Sequence, residues 1–121
     1  MSEYTDKNGA TVRVERSSAG EAFEIHAGDG EVAGHADFRD RDGTRIFHHT
    51  EVDEQYGGRG LGTALVRGAV EATRADGTLI VPVCPMVKAF LEKNSDEFAE
   101  AYRLPTPDDL AFVRAGGGGE G

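Results

Sequence analysis

The sequence predicts an α/β (α+β) fold: a mixed, mostly antiparallel twisted sheet of about five strands with two to three helices, in the order ββββαβα. One observation is that four consecutive segments alternate apolar and polar residues and are joined by short polar turns, which is typical of an antiparallel meander. The second is a change of the apolar period to that of a helix, followed by an uninterrupted apolar run. Such a run indicates a strand that is covered on both faces.

The meander occupies the first half of the chain. Its strands are bounded by residues that favour turns, such as Gly28 and Gly30 in a hairpin-type turn and Gly43 before the last strand. In the third strand, one face carries Val32, Gly34, Ala36 and Phe38. The four predicted strands are residues 11–15, 22–26, 32–38 and 44–52.

A helix is predicted over residues 61–73, because the apolar residues there form a single stripe. Asp76 and Gly77 follow it and favour a helix C-terminus. The residues of the stripe are Leu61, Leu65, Ala69 and Ala72, spaced four, four and three positions apart.

The strand after this helix is predicted at residues 78–83. Its Pro82 cannot donate to a sheet ladder, so we expect a bulge or a neighbouring strand that splays away. The proline that follows Cys84 suits the first position of a second helix, residues 86–93. A further short helix is expected over residues 96–102.

The chain is long enough for one domain with a modest core, which we place at residues 11–103. Residues 1–10 are polar and are expected to be a flexible N-terminus. Residues 104–121 read as a flexible Gly-rich C-terminal tail, with a helix over residues 108–114 as an alternative for part of it.

The composition argues against several classes of partner. A formal net charge of −9 repels nucleic acid and anionic membranes, and we expect neither as a partner. No apolar segment approaches the ~20 residues that span a bilayer, and the N-terminus lacks the pattern of a secretory signal. The single cysteine, Cys84, allows no internal disulfide. We therefore expect a cytoplasmic protein.

A glycine-rich segment, residues 57–62, joins the fourth strand to the first helix. Glycines let the backbone turn sharply and leave its amides uncovered. The first amides of a helix have no internal partner, and the helix dipole adds positive charge there. The segment is therefore suited to hold a phosphate, and Arg59 can add a bidentate donor.

Three kinds of phosphate loop compete for this segment. A P-loop needs a lysine followed by serine or threonine after its last glycine, whereas here Thr63 and Ala64 follow Gly62. A dinucleotide fingerprint needs a third glycine where Thr63 stands. The third kind, Gln/Arg-x-x-Gly-x-Gly/Ala, is matched by Gln55, Gly58 and Gly60.

With this motif the chain resembles the GNAT superfamily of acyl-CoA-dependent N-acetyltransferases over about residues 12–102. It is similar, more closely, to small single-domain members of that superfamily. The residues that carry the likeness are His49-Thr50-Glu51-Val52, the glycine loop, and Pro82-Val83-Cys84.

The resemblance implies acetyl-CoA as co-substrate, no metal, and an amine acceptor on a small molecule or a protein. The backbone of Val52 would polarise the thioester carbonyl. Asn94 stands where close relatives often begin a His-Pro-Glu-aromatic segment, so it would either bind the cofactor or cap the helix that begins near Asp96. The residues that would hold the phosphates are Tyr56, Gly57, Gly58, Arg59, Gly60, Leu61, Gly62 and Thr63.

His49, Glu51 and Cys84 are the candidate catalytic residues. His49 can accept a proton near neutral pH, and Glu51 shares its strand face as an alternative base. His48 is expected on the opposite face unless a bulge intervenes. Cys84 lies before a helix N-terminus, which favours a thiolate, so it could accept the acetyl group or merely line the channel.

The sequence thus predicts an acetyl-CoA-dependent N-acetyltransferase, with an acyl-CoA-binding or sensing module of little turnover as the alternative. The alternative is suggested by the composition of residues 104–121, which does not predict strands. Full-length GNAT enzymes complete the acceptor pocket with further strands in this part of the chain. Neither the acceptor, the acyl chain length nor the oligomeric state follows from the sequence.

Overall fold

The computed structural model describes residues 2–5, 9–18, 20–28, 30–56 and 60–117. Within these ranges six strands form one sheet in chain order, and four helices accompany it. The strands are β1 (Ser2–Thr5), β2 (Thr11–Arg16), β3 (Ala22–His26), β4 (Val32–Arg41), β5 (Thr44–Val52) and β6 (Leu79–Pro82). The helices are α1 (Leu61–Ala75), α2 (Pro85–Lys93), α3 (Ser95–Phe98) and α4 (Pro107–Gly117), and a 3₁₀ turn spans Glu54–Tyr56.

The sheet confirms the predicted fold class. Strands β1 to β5 pair antiparallel in succession, and β6 joins β5 in parallel after the crossover through α1. The strand count is six rather than about five, because β1 forms within the segment expected to be flexible and pairs with β2. The four residues of β1 are mostly polar and show no clear apolar period, so the sequence did not predict this strand. The Tyr4 hydroxyl donates to Glu71 on α1 at 2.8 Å, although the two residues are 67 positions apart in the chain.

One face of the sheet packs against α1. Three residues of the predicted stripe, Leu61, Leu65 and Ala69, are buried in the core cluster, and Ala72 is partly buried against it. Each large apolar side chain removed from water in this way stabilises the fold by roughly 1.5–3 kcal/mol. The opposite face of β3 to β5 carries polar residues at alternate positions.

A bulge in β5 sets which side chains face which way. The pairing steps from Phe38↔Phe47 to Asp37↔His49, so His48 is the extra residue of the bulge. Phe47 and Thr50 consequently both face α1, opposite Phe38 and Ala36. His49 lies on the polar face.

The strands β5 and β6 part after only four residue pairs, from Thr44↔Leu79 to Phe47↔Pro82. The carbonyl of Phe47 accepts hydrogen bonds from the amides of both Val83 and Cys84, at 2.9 and 2.8 Å, where the chain turns away into α2. The splay predicted from Pro82 is therefore confirmed. Residues 48–52 of β5 continue beyond the last paired residue of β6.

The segment after α3 also departs from the expected tail. Ile80 and Tyr102 form a parallel bridge, in which the Ile80 amide donates to the Ala101 carbonyl and the Arg103 amide donates to the Ile80 carbonyl. Residues 107–117 then form α4, which is held by a buried Asp109 carboxylate. Within the described ranges, no helix is long and apolar enough to cross a membrane.

Candidate active site

Three chain segments meet where β5 and β6 separate: the end of β5, the first turn of α1 and the first turn of α2. Gly62 of α1 lies between the other two. A Cβ built on Gly62 would stand 3.7 Å from the Met86 sulfur and 3.8 Å from Val52 Cγ2, which is ordinary van der Waals contact. The segment that the sequence identified as a phosphate loop therefore begins its helix beside the residue predicted to polarise the thioester.

The backbone of β5 is available in this gap. The Asp53 amide donates to the Ala33 carbonyl of β4 at 2.7 Å. Because backbone groups of successive strand residues point to opposite sides, Thr50 and Val52 direct theirs away from β4. That is the side from which β6 has departed, so these groups can pair with an extended ligand.

The first turn of α1 leaves its amides without a side-chain cap. Its N-cap, Gly60, has a left-handed backbone with φ 76°, which strains any residue that has a Cβ. The first turn contains no acidic residue, so nothing there opposes an anion. Leu61 is buried in the core and Thr63 is exposed. The predicted Gly57, Gly58 and Arg59 lie outside the described residues.

Two predicted cofactor residues have their side chains engaged elsewhere. The Tyr56 ring is buried in the core cluster, with its hydroxyl 3.5 Å from a Glu31 carboxylate oxygen. Asn94 lies at the C-terminal end of α2, where its side-chain amide donates to the Phe90 carbonyl at 2.8 Å. The nine residues of α2 separate Asn94 from Cys84, a distance of about 15 Å at 1.5 Å per residue.

Cys84 occupies the N-cap position of α2 on the helix-covered side of the gap. It is buried, and its thiol donates to the Thr50 hydroxyl at 3.2 Å. This hydrogen bond connects the start of α2 to β5, near the backbone groups of Thr50 and Val52.

The opposite face of the sheet brings together two histidines and two carboxylates from β4 and β5. His49 Nε2 lies 3.3 Å from Glu51 Oε1, and His35 Nε2 lies 3.7 Å from the same oxygen. His35 Nδ1 is 2.9 Å from Asp37 Oδ1. The two imidazole rings are 5.9 Å apart. We call these four residues the outer-face tetrad.

A cavity of about 480 Å³ opens next to the tetrad. Residues 32–35 and 51–54 line it, so His35 and Glu51 face the same space as Val52. Exposed Asp53 and Glu54 make its rim acidic. Among the described residues, no group of three or more His, Cys, Asp or Glu side chains is arranged to hold a metal ion.

His35 and Asp37 are site residues that sequence reasoning did not single out. The signal was present, because Gly34, Ala36 and Phe38 were assigned to one face of their strand. His35 and Asp37 consequently had to share the other face. What the sequence lacked was the register that places them opposite Glu51 and His49, through the pairs His35↔Glu51 and Asp37↔His49.

Comparison with known proteins agrees with this architecture. The family model described as GCN5-related N-acetyl-transferase matches residues 22–101, from β3 to the segment that bridges β6. The chain therefore belongs to the GCN5-related N-acetyltransferase family, the GNAT superfamily of the sequence resemblance, whose activity is acetyl transfer.

A GCN5-like protein from Staphylococcus aureus, solved by NMR in solution, has a similar structure, with a TM-score of 0.57 and 23% sequence identity. The match covers 78% of this chain and 91% of that one, so the two share the fold over most of their lengths. No curated protein matches the sequence.

Proposed function

We propose that the protein transfers an acetyl group from acetyl-CoA to an amine of a small molecule or a protein. The observation that carries the proposal is the gap between β5 and β6, which opens directly beside the uncapped N-terminus of α1. The backbone groups of β5 suit the pantetheine arm of acetyl-CoA, and the amides of α1 suit its diphosphate. The polar face of the sheet suits the acceptor amine. The single cysteine suits a reducing cytoplasm, where we place the reaction.

The residues around the gap fit coenzyme A. The amides at the start of α1, from Leu61 to Thr63, would hold the diphosphate, because they carry the positive end of the helix dipole. The backbone groups of Thr50 and Val52 would pair with the extended pantetheine arm. Acetyl-CoA supplies an acetyl group that is activated as a thioester.

Val52 would polarise the thioester carbonyl, and the outer-face tetrad would accept the proton of the amine. The amide of Val52 would donate to the thioester carbonyl oxygen and stabilise the negative charge that develops there. His49 and Glu51 were the bases expected from the sequence, and both belong to the tetrad beside the cavity. The amine would enter through this acidic side, where carboxylates favour a positively charged substrate.

Direct transfer to the amine is the route we infer, rather than transfer through Cys84. The Cys84 thiol already donates to Thr50, and it lies on the face of β5 that is opposite to His49. No base of the tetrad is on its side of the strand to generate a thiolate.

The proposal is tested by free-thiol release from acetyl-CoA in the presence of alkyl monoamines, diamines and lysine-containing peptides. We expect release that depends on both the protein and an amine, together with saturable binding of coenzyme A by calorimetry. Tight binding with release no faster than the uncatalysed background, for every amine, would instead identify an acyl-CoA-binding module.

The variant Gly60→Ala tests the place of the co-substrate. A Cβ in the left-handed conformation costs about 1–2 kcal/mol and displaces the first amides of α1. We expect the KM for acetyl-CoA to rise about 10-fold, which corresponds to ~1.4 kcal/mol. Gly43→Ala is the matched control, because Gly43 also has a positive φ but lies at the far end of β5. An equal rise in KM for both variants would contradict the assignment.

A further inference from the structure

We propose that His35, oriented by Asp37, is the base that removes the proton from the acceptor amine. The inference rests on the proposed acetyl transfer and assigns its proton-accepting step to a residue of β4 rather than to His49 or Glu51 of β5. The observations behind it are one short hydrogen bond, one shared cavity and the register of two strands.

The hydrogen bond to Asp37 sets the state of the imidazole. His35 Nδ1 lies 2.9 Å from Asp37 Oδ1, and an ionised carboxylate can only accept, so the ring donates its Nδ1 hydrogen. In the neutral ring Nε2 then carries the lone pair. A carboxylate that fixes the tautomer of a histidine in this way is what a general base requires of its orienting partner.

The free nitrogen lies on the cavity side. Nε2 of His35 is 3.7 Å from Glu51 Oε1, and both residues line the same cavity as Gly34 and Val52. An amine in this cavity would therefore be within reach of His35 and beside Val52, whose backbone groups face the gap between β5 and β6.

His49 is less suited to the same task. Its Nε2 is 3.3 Å from Glu51 Oε1, closer than the 3.7 Å of His35, and His49 is not among the residues that line the cavity, whereas His35 is. Its side chain is 54% exposed, against 37% for His35. A less hydrated base with a fixed tautomer gives the better-defined geometry.

In the proposed step the nitrogen of the acceptor loses two protons. The ammonium first gives one proton to Nε2 of His35, which frees the nitrogen lone pair. The nitrogen then forms a bond to the acetyl carbonyl carbon as the carbon–sulfur bond of the thioester breaks, and the second proton goes to the thiolate of the leaving coenzyme A. His35 then returns its proton to solvent through Glu51, whose oxygen is also within reach of His49.

Several carboxylates surround His35 on the polar face of the sheet. Besides Asp37 and Glu51, Glu24 of β3 is paired directly opposite His35, and Asp53 and Glu54 line the cavity. The other titratable groups on this face of β2, β3 and β5 include His26, His49, Glu15 and Arg13. Carboxylates at this range stabilise the positive charge that the imidazole gains.

The first test compares His35→Gln with wild type, using the best amine of the panel at about pH 7. We expect kcat/KM to fall about 100-fold, a typical loss for a general base, while the KM for acetyl-CoA stays within about twofold. His26→Gln is the matched control, because His26 is on the same face but pairs with Glu24 at 3.4 Å, outside the cavity wall. Activity of His35→Gln within a factor of about three of His26→Gln would overturn the proposal.

The second test examines Asp37 as a positioning residue. In Asp37→Asn the Nδ1 hydrogen of His35 loses its carboxylate acceptor, so kcat should fall about 10-fold while the KM for acetyl-CoA stays within about twofold, and Asp37→Glu should recover part of the loss. A merely structural role for Asp37 would lower the unfolding free energy without this recovery. Wild-type kcat in Asp37→Asn would contradict the orienting role.

A readout that needs no turnover separates this inference from the proposed function. Nitrogen-detected NMR of labelled wild-type protein should show neutral His35 protonated at Nδ1, and Asp37→Asn should remove that preference. A wild type without thiol release for any amine, but with this tautomer, would sink the transferase proposal alone. A neutral ring protonated at Nε2 would overturn the role of His35 even in an active enzyme.

Discussion

At the scale of single residues, Gly34 controls how closely β4 approaches the end of β5. A Cβ at this position would stand 2.6 Å from the Glu51 carbonyl oxygen and 3.1 Å from Val52 Cα, both of them backbone atoms. We expect Gly34→Ala to cost about 1–3 kcal/mol of unfolding free energy, because the strand must move. The displaced Val52 amide should also lower kcat/KM by at least about 10-fold.

Gly28→Ala serves as the control for this prediction. A Cβ on Gly28 would be 3.5 Å from the Thr11 carbonyl, an ordinary contact, and Gly28 is not among the residues that line the cavity. Denaturant unfolding and initial rates of thiol release measure the two effects. Should both alanine variants keep wild-type rates, Val52 would have no part in polarising the carbonyl.

Cys84 gives a second prediction at this scale. We expect Cys84→Ala to keep kcat within about fivefold of wild type, because removing a buried thiol loses packing and one hydrogen bond of ~1 kcal/mol rather than a nucleophile. Intact mass after incubation with acetyl-CoA should show no acetyl adduct on either protein. An adduct that forms as fast as turnover in wild type, and is absent from the variant, would establish the route through acetyl-cysteine.

At the scale of elements, α4 is fixed to the sheet by the buried carboxylate of Asp109. Arg103 donates to it at 2.7 and 3.2 Å, Arg41 of β4 donates at 2.9 Å, and Thr106 adds its backbone amide and hydroxyl. The hydrogen bond from Arg103 is the main reason that the pKa of the Asp109 carboxyl is held far below its ordinary value, while burial acts in the opposite direction.

This depressed pKa makes the stability pH-dependent with a definite sign. The stabilisation is fully present above the unfolded pKa of ~3.9 and is lost as the pH falls through the folded pKa. We expect Asp109→Asn to lower the unfolding free energy by about 2 kcal/mol at neutral pH, because both guanidinium groups can rehydrate. The difference from wild type should shrink below about pH 4.

Asp108→Asn is the matched control, because Asp108 is exposed and precedes Asp109 in the same helix. Urea unfolding at a series of pH values gives the comparison. A stability loss for Asp109→Asn that is constant from acid to neutral pH would show that shape, not charge, holds α4.

The elements differ in how far the sequence could predict them. The meander and α1 follow from local periodicity, and Pro82 anticipated where β6 leaves β5. Strand β1 could not be found in this way, and helix α4 was only the alternative prediction for residues 108–114. They are held by Tyr4 with Glu71 and by Arg41 with Asp109, contacts between residues 67 and 68 positions apart.

At the scale of the whole molecule, the candidate site lies where the parallel crossover ends. The glycine motif located one border of the gap, and His49, Glu51 and Cys84 were expected near it because their motifs flank the loop. The motifs did not distinguish the two sides of β5. The bulge at His48 places Cys84 and Thr50 on the helix side and the tetrad on the other, which is a property of strand register.

The net charge of −9 gives the last prediction, which concerns the molecule as one charged body. Like charges on a compact surface repel each other and favour unfolding. Between ~0.02 M and ~0.5 M NaCl the screening length falls from roughly 20 Å to roughly 4 Å. We therefore expect the Tm at pH 7 to rise by several degrees over this range, measured by circular dichroism.

The same protein near its isoelectric point of ≈ 4.8 provides the control. There the net repulsion vanishes, whereas the attraction between Arg103 and Asp109 persists and is weakened by salt. The salt effect on Tm should then be absent or reversed. A rise of equal size at both pH values would mean that salt acts through apolar burial, and that the acidic surface does not limit the stability of the fold.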